Sequence, residues 1–267
     1  MSHPLDMRCS FWAKYILRRG WIRRQRARLY FPPGCEAIRG LLRNGDYEAD
    51  LAGEIMRVLS NGGEGTYLDL GSHIGLLSLP VLRYRSARVI SVEGSKMLCG
   101  LMEKTRANSP YQNRWDIVQA IVSDQRGSAV FHQHEGRDAV YSSLGLTGRT
   151  IDPSGDLNVE TTTVDHLWGV WNRPVIRVVK LDLEGAELAA LRGAATMILA
   201  NRPTIFMEWE GRNVSSFGLT EADLLDWAEK NRYEIFRVPD GVPVLTPAGL
   251  KLAMEITETL RLQPAIH

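Results

Sequence analysis

The chain has 267 residues, 44% of them hydrophobic and 24% charged, with a formal net charge of +1. That is the composition of a soluble globular protein, long enough for one full α/β domain plus an extension, and it argues against a strongly basic nucleic-acid binder. Cys9, Cys35 and Cys99 are odd in number and far apart, so they indicate neither a disulfide framework nor a zinc ribbon, and the cytoplasm is the expected compartment.

The first thirty residues carry Arg8, Lys14, Arg18, Arg19, Arg23, Arg24, Arg26 and Arg28 against the acid Asp6. Interleaved with them are Phe11, Trp12, Tyr15, Ile16, Leu17, Trp21 and Ile22, a pattern that predicts a basic amphipathic helix. Three partners suit it: anionic lipid, a phosphate-bearing substrate, or solvent alone. It does not read as a signal peptide, because Lys14 interrupts the apolar run and Arg18 and Arg19 follow where a cleavage site belongs. No run approaches the ~20 apolar residues of a membrane span. Residues 1–45 are therefore read as a basic extension and 46–267 as the main domain.

Arg28 to Phe31 reads as a short strand closed by Pro32 and Pro33, and Tyr47 to Leu59 has helical spacing. Then strands and helices alternate. Strand Thr66 to Leu70 leads to a helix through Leu82, strand Val89 to Val92 to a helix from Met97 to Asn108, and Asp116 to Val122 forms a third strand. Ser128 to His134 and Asn158 to Val164 read as two extra strands around a polar loop from Tyr141 to Gly155. Alternation resumes with strand Val175 to Leu181, a helix from Glu187 to Ala200 and strand Thr204 to Glu208. A last helix, Glu221 to Asn231, precedes strands Tyr233 to Val238 and Val242 to Thr246, joined by an Asp240-Gly241 hairpin. The expected fold is a mainly parallel sheet covered on both faces, closed by an antiparallel pair.

The most informative segment is Thr66 to Gly75, Thr-Tyr-Leu-Asp-Leu-Gly-Ser-His-Ile-Gly, where a buried run breaks into a glycine turn. Such a turn brings Asp69 and Gly71 to the carboxyl end of a strand and lets the backbone lie close to a nucleoside ligand. A dinucleotide fingerprint aligned on Gly71 would need glycines where His73 and Leu76 stand, which disfavours a nicotinamide oxidoreductase. S-adenosylmethionine, which has no pyrophosphate, fits better. Glu93 ends the next strand about 20 residues on, placed for two vicinal ribose hydroxyls. On the fourth strand, Asp182, Glu184 and Glu187 gather at the exit, where an acid can take a proton from an attacking hydroxyl or help to hold a divalent ion. Helix capping alone could account for Glu187. His132 and His134, beside Glu135 and Asp138, read as a polar sheet edge in preference to a metal site.

Taken together, Tyr47-Glu48, Leu68-Asp69-Leu70-Gly71-Ser72-His73-Ile74-Gly75, Ser91-Val92-Glu93, Ser142-Ser143-Leu144 and Lys180-Leu181-Asp182-Leu183-Glu184-Gly185-Ala186-Glu187 resemble the FkbM family of S-adenosylmethionine-dependent methyltransferases, from about Glu48 to Glu208. The family's turn usually reads Asp-x-Gly-Ala-Asn-x-Gly, so Ser72 and His73 depart from it. The later motif, Lys-x-Asp-x-Glu-Gly-x-Glu, is matched throughout. The resemblance implies a class I Rossmann-like fold and O-methyl transfer to a sugar, glycolipid, polysaccharide or polyketide-type metabolite. Glu48, Asp69, Gly71, Ser72, His73, Gly75, Glu93, Gln119 and Asp182 are the expected cofactor contacts. Asp182 is the first choice of base, then Glu184, then Glu208, with Trp209 placed either to stack on a sugar or to fill the core. The loop from Tyr141 to Leu144 either covers the pocket or is plain surface.

The chain has Lys-Leu-Asp-Leu-Glu where an amino methyltransferase acting on nucleic acid would show Asn/Asp-Pro-Pro-aromatic, so a small-molecule or glycan acceptor is expected instead of nucleic acid. Peripheral contact with the inner membrane face is open through the basic segment. A divalent metal is open but weakly indicated. The remaining alternative is a catalytically silent scaffold that binds through its basic arm.

Overall fold

A computed structural model describes residues 13–61, 63–83, 87–133 and 155–265, the side chains of 129–133 and 155–158 excepted. The loop from Tyr141 to Leu144, His134, Glu135, Asp138 and the side chain of His132 lie outside the described residues.

The amino-terminal segment departs from the predicted helix. Residues 13–19 form α1, and then the chain turns back as a hairpin of β1 (Trp21–Arg24) and β2 (Ala27–Tyr30). Gly20 ends the helix at φ 74°, and Gln25 and Arg26 take φ 47° and 63°, the positive values of a two-residue hairpin turn. Ile22 pairs with Leu29 and Arg24 with Ala27 on the inner face. Leu17, Ala27, Leu29, Phe31 and Cys35 enter the same apolar cluster as Tyr67, Val89 and Trp115, so the arm is packed onto the sheet's core. Helices α2 (Glu36–Asn44) and α3 (Ala49–Asn61) follow.

The alternating part runs β3 (Gly65–Leu70), α4 (Ser78–Leu82), β4 (Ala87–Glu93), α5 (Lys96–Ala107), β5 (Trp115–Gln119), β6 (Ile121–Val122), β7 (Gly127–Gln133), β8 (Gly155–Thr162) and α6 (Val164–Val170). It continues with β9 (Ile176–Leu181), α7 (Glu187–Arg192), α8 (Ala195–Asn201), β10 (Thr204–Glu208), α9 (Gly211–Ser216), α10 (Glu221–Asn231), β11 (Tyr233–Arg237), α11 (Pro247–Met254) and β12 (Thr259–Pro264). A seven-stranded sheet has the order β11-β12-β10-β9-β3-β4-β5, in which β12 lies antiparallel to both neighbours and the pairings from β10 to β5 are parallel. Leu68, Leu70, Ile90, Val92, Val179 and Leu181 fill one face, and Tyr67, Val89, Val178 and Phe206 the other. Burial on both sides is why these strands read as continuous apolar runs. This is the Rossmann-like methyltransferase architecture that the sequence implied.

Three other boundaries differ from expectation. The third strand breaks at Ala120, and Ile121-Val122 joins a separate three-stranded sheet of order β6-β8-β7. The helix from Glu187 to Ala200 is interrupted at Gly193, where an added Cβ would lie 2.1 Å from the Ser123 carbonyl oxygen. The segment Val242 to Thr246 contributes only an isolated bridge, Phe236 to Pro243, and the antiparallel partner of β11 is β12. Pro243 has no N–H for a ladder, and Pro247 sits at the start of α11. Among the described residues no helix is long and apolar enough to cross a membrane.

Strand order reverses between β3 and β9, since the chain proceeds from β3 through β4 to β5 on one side and from β9 to β10 on the other. The carboxyl ends of those strands open the crevice in which α/β sheets hold their ligands.

Candidate active site

On the β3–β4 side, Glu93 joins two turns. Its Oε2 accepts from the His73 backbone N–H at 2.9 Å and its Oε1 from the Ser95 N–H at 2.8 Å. Each carboxylate oxygen keeps a further lone pair for a ligand hydroxyl. Burial raises the Glu93 pKa to about 7, against the lowering effect of the two backbone donors. Gln119, exposed, stands opposite Glu93 in the β4–β5 register and thus at the same edge. His73 is half-buried at φ 52°, in the left-handed region that asparagine and histidine tolerate better than most residues. Burial drops its pKa to about 4, so the ring is neutral near pH 7.

The protein's own packing demands the glycines of the turn. Gly71 has φ 76°, and a Cβ on it would lie 1.8 Å from the Asp182 carbonyl oxygen. At Gly75, φ 78°, a Cβ would lie 2.7 Å from the Trp115 ring. Both turns are tight because protein atoms already occupy the space. Ser72 is buried, its N–H donating to the Val92 carbonyl at 3.2 Å.

Asp69 lies beneath the turn, 1% exposed. Its Oδ2 accepts from Ser78 Oγ at 2.6 Å; Ser78 Oγ meets Ser91 Oγ at 2.8 Å, and Trp115 Nε1 donates to Ser91 Oγ at 2.9 Å. This buried chain ties β3, α4, β4 and β5 together. Tyr67 is buried beside Asp69, and their side chains are hydrogen-bonded neighbours.

On the β9–β10 side, register aligns Asp69, Lys180 and Phe206 across three adjacent strands. A cleft of about 160 Å³ opens there, lined by Glu48, Leu51, Lys180, Leu181, Asp182, Phe206, Met207, Glu208, Glu258 and Thr259. Lys180, 7% exposed, pairs with Asp182 through Nζ and Oδ2 at 2.8 Å. Burial disfavours its charge, but Asp182, Asp69 and Glu48 together more than reverse this and raise its pKa. For Asp182, burial likewise opposes ionisation, and Lys180 and then Glu208 overcome it, holding its pKa below the usual value. Glu208 goes the other way: the Asp182 charge, then burial, push it well above the ordinary carboxylate range. The two carboxyls therefore titrate as a pair, with Asp182 the more readily ionised of the two. Glu48, with φ 46°, forms part of the open rim; enclosure by the cleft walls raises its pKa, and Lys180 opposes this.

The other acids of the motif stand apart from the cleft wall. Glu187, 2% exposed, receives the backbone N–H of Leu183 on Oε1 at 2.7 Å and that of Gly185 on Oε2 at 3.0 Å. It clamps the turn that carries Asp182, through N–H groups that precede α7. Glu184 accepts from Asn213 Nδ2 at 2.6 Å. Trp209 is 0% exposed within the core, which leaves it no face for a sugar.

The cleft also contains groups the sequence reading did not single out: Lys180 as a charge partner, and Glu258 and Thr259 at the start of β12. A lysine inside the apolar run Val-Val-Lys-Leu was a visible sign, because a buried charge needs partners. Glu258 was hidden with its unread strand. Among the described residues, no group of three or more His, Cys, Asp and Glu is placed to hold a metal ion.

The Methyltransferase FkbM domain family matches residues 69–235. Among solved structures, an FkbM methyltransferase from Methylobacillus flagellatus shares 15% identity at a TM-score of 0.48, the match covering 75% of this chain and 43% of that one. The chain thus spans less than half the length of that protein. An O-methyltransferase from Bacillus cereus, solved with SAH, shares 10% identity at a TM-score of 0.47, covering 85% of this chain and 87% of its own. No curated protein matches the chain.

Proposed function

Because this chain belongs to the FkbM methyltransferase family, we propose that it moves a methyl group from S-adenosylmethionine to an aliphatic hydroxyl of a sugar, glycolipid, polysaccharide or polyketide-type acceptor. The observation that carries this reading is the Lys180–Asp182 ion pair, which shares a cleft with Glu208 beside the Gly71 turn.

The donor set suits the cofactor. Glu93 has a free lone pair on each oxygen for vicinal ribose hydroxyls, with Gln119 beside it at the same edge. When bound, S-adenosylmethionine supplies a methyl carbon on a sulfonium, whose leaving group is a neutral thioether. An alcohol is a poor nucleophile, and its proton must depart as the C–O bond forms and the C–S bond breaks. Asp182 is the acceptor for that proton, kept ionised by Lys180 at 2.8 Å. Glu208, hydrogen-bonded to Asp182, orients it. Since Asp182 is a weak base, proton transfer falls late, once the oxygen has lost electron density to the incoming methyl. Glu48, Leu51, Glu258 and Thr259 line the cleft in which the acceptor is aligned, and alignment supplies much of the rate enhancement. The cleft of about 160 Å³ is close to the ~150 Å³ known to admit a single six-membered ring, a size that suits a sugar or other cyclic acceptor.

Calorimetry with S-adenosylmethionine tests the first half: binding should be weakened by Glu93→Ala, and an absence of heat would sink the proposal. Mass-spectrometric detection of methylated product from a panel of neutral methyl glycosides tests the second. Asp182→Asn should lose turnover while retaining cofactor affinity, and Glu208→Gln should lose less. Unchanged turnover in Asp182→Asn removes it from the mechanism.

A further inference from the structure

The arm carries an aromatic and cationic face that the methyl-transfer site does not use. Register pairs Trp21 with Tyr30 and Arg23 with Arg28, so these four side chains share the outer face of the hairpin, opposite buried Ala27 and Leu29. Arg19 and Arg28 both lie over the Trp21 ring, at 3.2 and 4.5 Å from its centroid. Lys14, Arg18, Arg23, Arg26 and Arg28 are exposed, and no acid occurs between residues 13 and 35. Like charges directly opposite in a sheet are destabilising, yet Arg23 faces Arg28 with no described ion pair for either. Such a pair is relieved by an anion lying across it.

The active cleft is not the source of that anion. The hairpin touches the far end of α5, where the Arg28 N–H donates to the Asn108 carbonyl and Tyr30 N–H to Thr105 Oγ1. Glu93 stands at the opposite end, about 18 Å away along a helix of 12 residues. A phosphate on a single-ring acceptor seated in the cleft would lie out of reach. A hairpin of two four-residue strands presents a short flat face, whereas nucleic-acid grooves track a long run of phosphates. Tryptophan and tyrosine beside arginine match the headgroup layer of a bilayer, where rings sit at the interface and guanidinium groups meet lipid phosphates.

We propose that the outer face of the β1–β2 hairpin, built on Trp21, Arg23, Arg28 and Tyr30 with Arg19, docks the protein on an anionic lipid surface. The full-length protein should co-sediment with vesicles of phosphatidylcholine mixed with phosphatidylglycerol and not with phosphatidylcholine alone. A roughly tenfold rise in salt should release it. Arg23→Glu with Arg28→Glu should lower partitioning at least ~10-fold, whereas Arg23→Lys with Arg28→Lys keeps most of it. Calorimetry with S-adenosylmethionine should give the same affinity before and after the change, which reports an intact fold. If the Glu variant does not fold, Arg23→Gln with Arg28→Gln and the salt titration of the unaltered protein make the same comparison. Equal binding to both vesicle types, no effect of the arginine changes, or tighter binding to duplex DNA than to the anionic vesicles would overturn the proposal.

Discussion

Replacing Gly71 with alanine separates two reasons for a glycine in the turn after β3. If the residue is needed so that a ligand can approach, the ligand-free protein should tolerate a methyl group there apart from the backbone cost. The structure argues otherwise, since that Cβ would lie 1.8 Å from the Asp182 carbonyl oxygen, far inside van der Waals contact. The carbonyl belongs to a backbone locked in turn by the Asp182 N–H bond to Leu70, so it has little room to yield. An alanine at φ 76° costs about 1–2 kcal/mol for its left-handed backbone, and the forced separation adds about 1–3 kcal/mol. Gly63 provides the control, because it has φ 75° with nothing within 4 Å, so Gly63→Ala bears the backbone cost alone. At about 2–4 °C per kcal/mol, Gly71→Ala should lower Tm by roughly 4–20 °C and Gly63→Ala by roughly 2–8 °C. Thermal melts followed by circular dichroism, without cofactor, read both. Equal losses in the two variants, with cofactor affinity falling only in Gly71→Ala, would refute the crowding argument and restore the ligand one.

Further expectations rest on the buried charges. Lys180→Met leaves Asp182 and Asp69 without their cation, at about 3–5 kcal/mol of stability, and should move the acid limb of kcat to higher pH; a stationary limb would exclude Lys180 as the group that keeps Asp182 ionised. Glu93, raised to about 7, is a full acceptor only above that pH, so calorimetric affinity for S-adenosylmethionine should climb as pH rises through 7, and Glu93→Gln should flatten the curve. Glu187, also raised to about 7, keeps a proton in the folded state that the unfolded chain gives up near 4.5. Its contribution is full below 4.5 and lost as pH rises through about 7, an effect of about 3 kcal/mol. His73, lowered to about 4, works in the opposite direction between 4 and 6.5. Melts of wild type against Glu187→Gln between pH 4.5 and 7.5 isolate the glutamate, because the His73 effect is common to both proteins and cancels in the difference; parallel curves would remove it.

The parallel strands were legible because burial on both faces writes each one as an apolar run, and Tyr67 to Leu70, Val89 to Val92 and Val178 to Leu181 all do so. The hairpin was not, because Trp21 to Tyr30 places its cations and aromatics at spacings that a helix can also accommodate. What decides between them is backbone handedness at Gln25 and Arg26, neither of them a residue that advertises positive φ. At the carboxyl end, Asp240-Gly241 does make its turn, with the Gly241 N–H bonded to the Arg237 carbonyl at 2.9 Å. The strand that pairs with β11 nevertheless comes from beyond α11. Leu260 and Leu262, both 0% exposed around Arg261, show the period-two pattern of a strand, but nothing local says that it inserts between β10 and β11.

The site divides along a similar line. Residue types and spacing located Glu93 and Asp182 at the right edge, because a strand followed by a turn fixes where its last side chain emerges. They did not tell which acids face the cleft and which hold the backbone together. Asp182 and Glu187 occur in one short motif, yet one is paired with Lys180 in the cleft and the other is consumed by the N–H groups of Leu183 and Gly185. Glu208 enters the same cleft from another strand, through the register that sets Met207 beside Leu181. Its proton is a property of the pair, since it is the charge on Asp182 that first raises its pKa. A chemistry that depends on such pairing becomes legible only when the register of neighbouring strands is known, and that is why the motif alone does not show Lys180 and Glu258 as parts of the cleft.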